Sequence, residues 1–255
     1  MKKNAITLVA FIFVAFGYSQ DAKQLISEMM DAIGGKENFY AKGNVTYGYE
    51  YNDPKAKTSL KSQETYMFDG ERSHADYSTH SMLGGTEKKV VEGYDGSNAW
   101  VTLDGVVSTD EKANGIARFL RKTNYYWFTM FFKLLDEGVN QEFIGTKTVD
   151  EKEYNLVKIT FGDKVGDAQD TYVLYINKET KMIDQFLFTI VAFGVTEPKL
   201  MTFEYETVDG IKIATKRKYA SANWEGKIIS KDYATTNWTN IKFNTAIDPS
   251  LFTKK

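Results

Sequence analysis

Two histidines, His74 and His80, and not one cysteine are what this 255-residue chain offers to the commonest catalytic and metal-binding chemistries. They build neither an HExxH zinc motif nor a histidine triad, and without cysteine there is no thiolate nucleophile. Gly84-Gly85-Thr86-Glu87-Lys88-Lys89 has the residues of a phosphate loop without the P-loop spacing and reads as an ordinary loop. In Gly93-Tyr94-Asp95-Gly96-Ser97 the serine follows the second glycine, so this is not a nucleophile elbow. Acids such as Glu204, Glu206 and Asp209 are spread over turns and strand faces. One enzymatic route is left, a paired-carboxylate hydrolase, which needs strands to bring distant acids together in a polar cleft. The sequence therefore predicts no catalytic residues, no metal site and no cofactor.

The chemistry that is abundant is apolar. Asn124-Tyr125-Tyr126-Trp127-Phe128-Thr129-Met130-Phe131-Phe132-Lys133-Leu134-Leu135 is greasy on every helical face, yet a membrane span needs about 20 apolar residues. Such a segment is buried on both sides, or turns one side to something other than water. Ile116, Phe119, Leu120, Trp127, Met130, Phe131 and Leu134 fall at helical spacing. They predict a helical region from about Lys112 to Glu137, with a bend near Asn124 and Gly138 as the stop. Arg118, Arg121 and Lys122 mark its expected wet side. An earlier helix, Ala22 to Ile33, carries Leu25, Ile26, Met29, Met30 and Ile33 in one wide stripe and ends at Gly34-Gly35.

The remainder reads as antiparallel strands. Asp-Gly recurs at Asp69-Gly70, Asp95-Gly96, Asp104-Gly105 and Asp209-Gly210, each between segments of strand composition. A type I′ hairpin turn needs positive φ at both central residues, which aspartate tolerates and glycine accepts freely. Val45, Tyr47, Tyr49 and Tyr51 share one strand face, as do Val157, Ile159 and Phe161. Tyr172 to Ile176 and Phe186 to Ile190 are apolar on both faces and are expected to be covered on both sides, or to face a cavity on one. The picture is a curved antiparallel sheet with an aromatic helix across its concave face.

Lys2 and Lys3, the apolar run Ala5 to Phe16, and Gly17 and Ser19 beyond it predict a signal peptide, residues 1–19, cleaved near Ser19. The expected location is the periplasm or outside the cell, with no lipobox cysteine and no membrane span in the mature chain. Cleavage takes two lysines from the 32 basic residues that face 34 acids, leaving a net charge of about −4. That argues against nucleic acid as a partner. Lys216-Arg217-Lys218 is the one candidate basic patch, and in a strand it reads as solvated and edge-protecting. Only three prolines occur and no Ser/Gly linker interrupts the chain, so residues 20–255 are expected to form a single domain.

The leader is followed by the helix ending at Gly34-Gly35, Phe68-Asp69-Gly70-Glu71-Arg72, Tyr94-Asp95-Gly96-Ser97-Asn98-Ala99-Trp100-Val101 and the helical insertion. Next come Tyr172 to Thr180, Val208-Asp209-Gly210-Ile211-Lys212, and Phe243-Asn244 with Asp248-Pro249-Ser250-Leu251-Phe252. This order, over nearly all the mature chain, resembles the LolA/LolB-like lipoprotein-carrier superfamily. Each element alone is weak, and their order carries the resemblance. It implies an α+β fold, mainly β: an incomplete β-barrel closed by an N-terminal helix and a mid-chain aromatic helical lid over a greasy cavity. In the carriers an early-strand arginine bonds to loop or helix carbonyls and holds the lid shut; Arg72 is the comparable position. Trp100 is similar to the family's inward-facing tryptophan. Tyr125 to Val139 looks more like a secreted branch found in Bacteroidetes than like the carrier itself.

The expected function is non-catalytic binding of a lipid, an acyl chain or another hydrophobic small molecule between sheet and lid. Trp100, Trp127, Phe128, Met130, Phe131 and Phe132 are the expected ligand contacts, with Arg72 as the lid latch. Lipoproteins or an envelope protein are the expected macromolecular partners. The alternative is an envelope sensor or interaction scaffold whose cup is filled by its own aromatics. A continuous apolar cavity favours the first reading, and a filled interior favours the second.

Overall fold

The computed structural model describes residues 22–163, 165–166 and 169–254, so the leader and its cleavage point lie outside the described residues. Among these, no helix is long and apolar enough to cross a membrane. One antiparallel sheet dominates: β1 (Asn44–Asp53), β2 (Thr58–Met67), β3 (Arg72–His80), β4 (Val90–Tyr94), β5 (Ala99–Leu103), β6 (Val106–Val107), β7 (Val139–Val149), β8 (Lys152–Phe161), β9 (Tyr172–Asn177), β10 (Ile183–Ile190), β11 (Val195–Val208), β12 (Ile211–Ser221) and β13 (Ala234–Phe243). Its spatial order is β6-β5-β4-β3-β2-β1-β13-β12-β11-β10-β9-β8-β7. The chain fans outward from β1 to β6, crosses over as helix α3 (Glu111–Thr129), and returns from β7 to β13, which pairs with β1. Since β6 and β7 remain at opposite edges, the sheet curls without closing, giving the incomplete barrel.

Every neighbouring pair is antiparallel, so the turns alternate between two ends of the cup. At the end holding turns 68–71 and 209–210, α1 (residues 22–32) and α2 (Lys36–Ala41) form a cap. Ile26, Met29 and Ile33 are fully buried there, and the Ile33 carbonyl accepts from the Lys212 backbone N–H at 2.8 Å. A Cβ on Gly34 (φ 117°) would lie 2.6 Å from the Gly210 carbonyl oxygen, so conformation and close approach both demand glycine. The loops at the opposite end carry Met82, Val191, Phe193, Trp224 and Ile229 as exposed apolar side chains.

Turn chemistry splits. Asp104-Gly105 (φ 53° and 82°) and Asp209-Gly210 (φ 49° and 83°) take the left-handed pair expected of a type I′ turn. The other two do not. Asp69-Gly70-Glu71 is a 3-10 turn, and at the remaining site the Asp95 carboxylate itself turns the chain by accepting from the Ser97 and Asn98 N–H groups at 2.8 and 2.7 Å. Alternation along the strands is as the sequence predicts. Val45, Tyr47 and Tyr49 are buried, and β9 is buried along its whole length. Tyr172, Leu174 and Ile176 join the main core, while Val173 and Tyr175 face a second cluster with Leu187, Leu200 and Ala222.

The Asp110 carboxylate caps α3 by accepting from the Ala113 N–H at 2.8 Å. The bend expected near Asn124 is absent. The helix continues to Thr129, whose hydroxyl returns to the Tyr125 carbonyl at 3.0 Å, and only then tightens into the 3-10 turn Met130–Phe132. Gly138 (φ 81°) marks the stop.

Candidate functional site

The concave face of the sheet and the C-terminal half of α3 share one aromatic interior. Trp127 stacks on Phe186 with centroids 5.8 Å apart and meets Phe188 edge-on at 5.4 Å. Phe128 stacks on Tyr47 at 5.0 Å and contacts Trp238 at 5.1 Å. Phe131 meets Phe203 at 5.6 Å, and Phe132 stacks on Phe39 of α2 at 4.1 Å. Met130 is fully buried among them. The lid side chains thus occupy the interior themselves. The two clefts that stand out lie elsewhere: one of about 550 Å³ beside Ile144, Tyr175 and Trp224 on the outer face, the other of about 520 Å³ between α1, α2 and Leu135.

Beneath α3 lies a sealed charged cluster. Arg121, assigned to the wet side by the sequence pattern, is fully buried because its partners are inside. Its Nη1 is 2.5 Å from Glu64 Oε2 on β2, and its Nε is 2.9 Å from Glu92 Oε2 on β4. Nη2 donates to the Tyr77 hydroxyl at 2.7 Å, and that hydroxyl donates to Glu92 at 3.1 Å. His80 Nε2 sits 3.0 Å from the other Glu92 oxygen, and Ser62 donates to Glu64 at 2.6 Å. Burial opposes the charge on Glu92, but the His80 hydrogen bond and the Arg121 charge outweigh it and hold the carboxyl below its usual range. Burial likewise opposes the Arg121 charge, yet Glu64, Tyr77 and Glu92 raise its pKa well above the ordinary value. The two carboxylates do converge, but on a guanidinium and without solvent access. This arrangement clamps the lid helix to β2 and β4, and neither of these two carboxylates opens onto solvent.

A second arginine ties the lid to the other half of the sheet. Arg217, expected in a solvated patch, is 4% exposed, while Lys216 and Lys218 on either side point outward. Its Nη2 donates to the Trp127 carbonyl at 2.9 Å and its Nε to the Ala214 carbonyl at 3.2 Å. The guanidinium carbon lies 4.0 Å from the Trp238 ring centroid and 5.6 Å from those of Trp127 and Phe203. Burial pushes this guanidinium down to about 10.

Two of the residues expected at the site lie elsewhere. Trp100 neighbours Val101, which belongs to the main core, so alternation turns Trp100 to the outer face. There its ring covers Gly93 and its Nε1 donates to the Phe252 carbonyl at 2.9 Å. Arg72 binds its own turn, donating to the Asp69 carbonyl at 3.1 Å, and lies over the Phe252 ring at 5.6 Å. The lid carbonyls are instead held by Arg217 at Trp127 and by the Ser73 hydroxyl, which donates to the Arg121 carbonyl at 3.3 Å.

A family model described as a family of unknown function, DUF6503, matches residues 22–196. The chain belongs to DUF6503. The matched span ends inside β11, so Arg217 and Trp238 lie beyond it. No functionally curated protein matches this DUF6503 member. Among solved structures, a DUF1329 family protein from Desulfovibrio piger is similar at 12% identity and TM-score 0.57, covering 92% of this chain and 97% of that one. A LolA superfamily protein from Nitrosomonas europaea is similar at 13% identity and TM-score 0.54, covering 91% and 97%. A domain ascribed to outer-membrane lipoprotein sorting, from Vibrio parahaemolyticus, is similar at 8% identity and TM-score 0.53, again covering 91% and 97%. At these identities the likeness establishes the fold, and the DUF6503 member is LolA-like in architecture.

Proposed function

We propose that this protein is a periplasmic, non-catalytic binder of a hydrophobic moiety, an acyl chain of a lipid or lipoprotein or a lipophilic small molecule. The ligand is held between the concave sheet and α3. The observation that carries this reading is the chemistry of the seam between lid and sheet, where Trp127, Phe128 and Phe131 touch rings from β1, β10, β11 and β13 through apolar faces that a hydrocarbon chain can replace when α3 moves. In the closed form those lid rings stand where a ligand would lie, so loading displaces the lid and exchanges ring-on-sheet contacts for chain-on-sheet contacts. Burial at about 25 cal/mol per Å² lets a long chain compensate for the displaced rings. The LolA-like fold, shared with a lipoprotein-sorting domain, supports the reading, as does the sealing of Glu64 and Glu92 away from any substrate.

The filled interior favours a second reading, an envelope sensor or scaffold that uses its rim. Phe193 is 63% exposed and Trp224 43% exposed at the uncapped end of the cup, a face suited to a protein partner.

One experiment separates the two. The protein is purified from its native periplasm, extracted with organic solvent, and compared by mass spectrometry with a Trp127→Ala, Phe131→Ala variant. A lipid at near-stoichiometric amount, lost in the folded variant, is the expected result. A clean extract from wild type, with loss of a partner in a Phe193→Ser, Trp224→Ser variant, overturns the first reading in favour of the second.

A further inference from the structure

The cup contains two buried arginines, Arg121 and Arg217, and among the described residues only Arg121 is met by acids. Arg121 has Glu64 and Glu92. Arg217 has no acid within ion-pair distance among the described residues, and its Nη1 has no hydrogen-bond partner. Its surroundings are aromatic faces together with the hydroxyls of Tyr205, Tyr47 and Tyr49, whose influence on its charge is smaller than the cost of burial. A charge taken out of water and left uncompensated is expensive, which is why buried charges are ordinarily paired.

Two further polar groups beside it are also unsatisfied. Among the described residues Trp238 Nε1 on β13 and Thr215 Oγ1 on β12 are buried without hydrogen-bond partners, and the Trp238 ring is the closest aromatic face to the guanidinium. Thr215 is the extra residue of a β-bulge, since Lys216 opposes Glu204 while Ala214 opposes Tyr205. Bulges re-aim side chains. An unpartnered guanidinium N–H, the unpartnered indole N–H of the ring it lies over, and an unpartnered hydroxyl two residues back along β12, in a greasy interior, describe a receptor for an anion attached to a hydrocarbon.

We propose that Arg217, with Trp238 Nε1 and the Thr215 hydroxyl, forms a buried site for the carboxylate head of a long-chain acid whose hydrocarbon takes the place of the Trp127 and Phe131 rings. The proposal rests on the reading that the cup accepts a chain when α3 moves. A planar guanidinium suits a carboxylate because two N–H groups meet two oxygens. The same arginine then has two positions of use. In the closed cup its Nη2 holds the Trp127 carbonyl, and in the loaded cup it turns to the ligand, so binding itself removes a restraint on the lid.

The test is equilibrium dialysis of dodecanoate and 1-dodecanol, equal in chain length, at a pH of about 8 where the acid is ionised. Wild type is expected to prefer dodecanoate by ten-fold or more. Arg217→Met abolishes that preference while dodecanol binding persists, Arg217→Lys retains part of it, and Thr215→Val and Trp238→Phe each reduce it. Those two conservative variants carry the test if Arg217→Met does not fold. Equal binding of both probes by wild type, or an undiminished preference in the folded variants, overturns the carboxylate site while leaving hydrophobic binding intact. Binding of neither probe overturns the underlying reading and this site with it.

Discussion

Arg121 Nη1 and Glu64 Oε2 stand 2.5 Å apart with neither side chain reached by solvent, so the lid helix is anchored to the sheet by an ion pair rather than by apolar contact alone. Burying both ions costs several kcal/mol each, offset only because Glu92, Tyr77 and Ser62 satisfy the remaining donors and acceptors. Removing one member strands the others. Arg121→Met is therefore expected to lose about 3–5 kcal/mol in urea unfolding. A loss below about 1 kcal/mol would show that the clamp contributes little.

Acid should loosen the same region. The folded pKa of Glu92 lies below its ordinary value of 4.5, so the unfolded chain binds the proton more readily. Its contribution to stability is fully present above 4.5 and is lost as pH falls through the depressed folded value. The melting temperature is expected to drop as pH falls below 4.5, and a Glu92→Gln variant to start lower and change less over the same titration. Parallel curves for the two proteins would contradict this.

The outer-face position of Trp100 yields a steric prediction. A Cβ at Gly93 would come within 2.3 Å of the Trp100 ring, so Gly93→Ala should destabilise by about 1–3 kcal/mol or displace the indole. Pairing it with Trp100→Leu should recover part of the loss in the same unfolding assay. No recovery would mean that the ring is not the obstacle.

Phe128 is 4% exposed at the centre of the aromatic interior, whereas Ile144 is 43% exposed on an edge strand. Phe128→Ala is expected to cost about 3–5 kcal/mol. Ile144→Ala should stay within about 0.5 kcal/mol. Similar losses for both would mean that the described interior is not where stability resides.

Much of the architecture is legible in the chain because strand alternation and turn chemistry are local properties. Tyr172 to Ile176, apolar on both faces, announces that both faces are covered, and Asp104-Gly105 announces its own turn. The polar anchors are not legible. Arg121 lies beside Lys122 and near Arg118, and Arg217 lies between two lysines, so neither stretch offers the contrast in polarity that tells an inward position from an outward one. What turns them inward is pairing across distance: Glu64 and Glu92 for one, the Trp127 carbonyl and Trp238 for the other. Trp100 misleads for a related reason. Its neighbour Val101 is equally apolar, and the outer face is where Trp100 finds the Phe252 carbonyl for its Nε1 and the side-chain-free surface of Gly93 for its ring.

The meeting of β1 with β13 has a consequence for how the chain matures. Each half of the sheet is a run of consecutive hairpins whose partners are close in sequence, and such pairings form early. The strand joint between the halves pairs Val45 with Phe243, residues near opposite ends of the chain. A chain made from its N-terminus must therefore keep the open edge of β1 waiting until the final strand exists. Loss of the last strand splits the sheet along its middle, whereas loss of β6 trims only a rim.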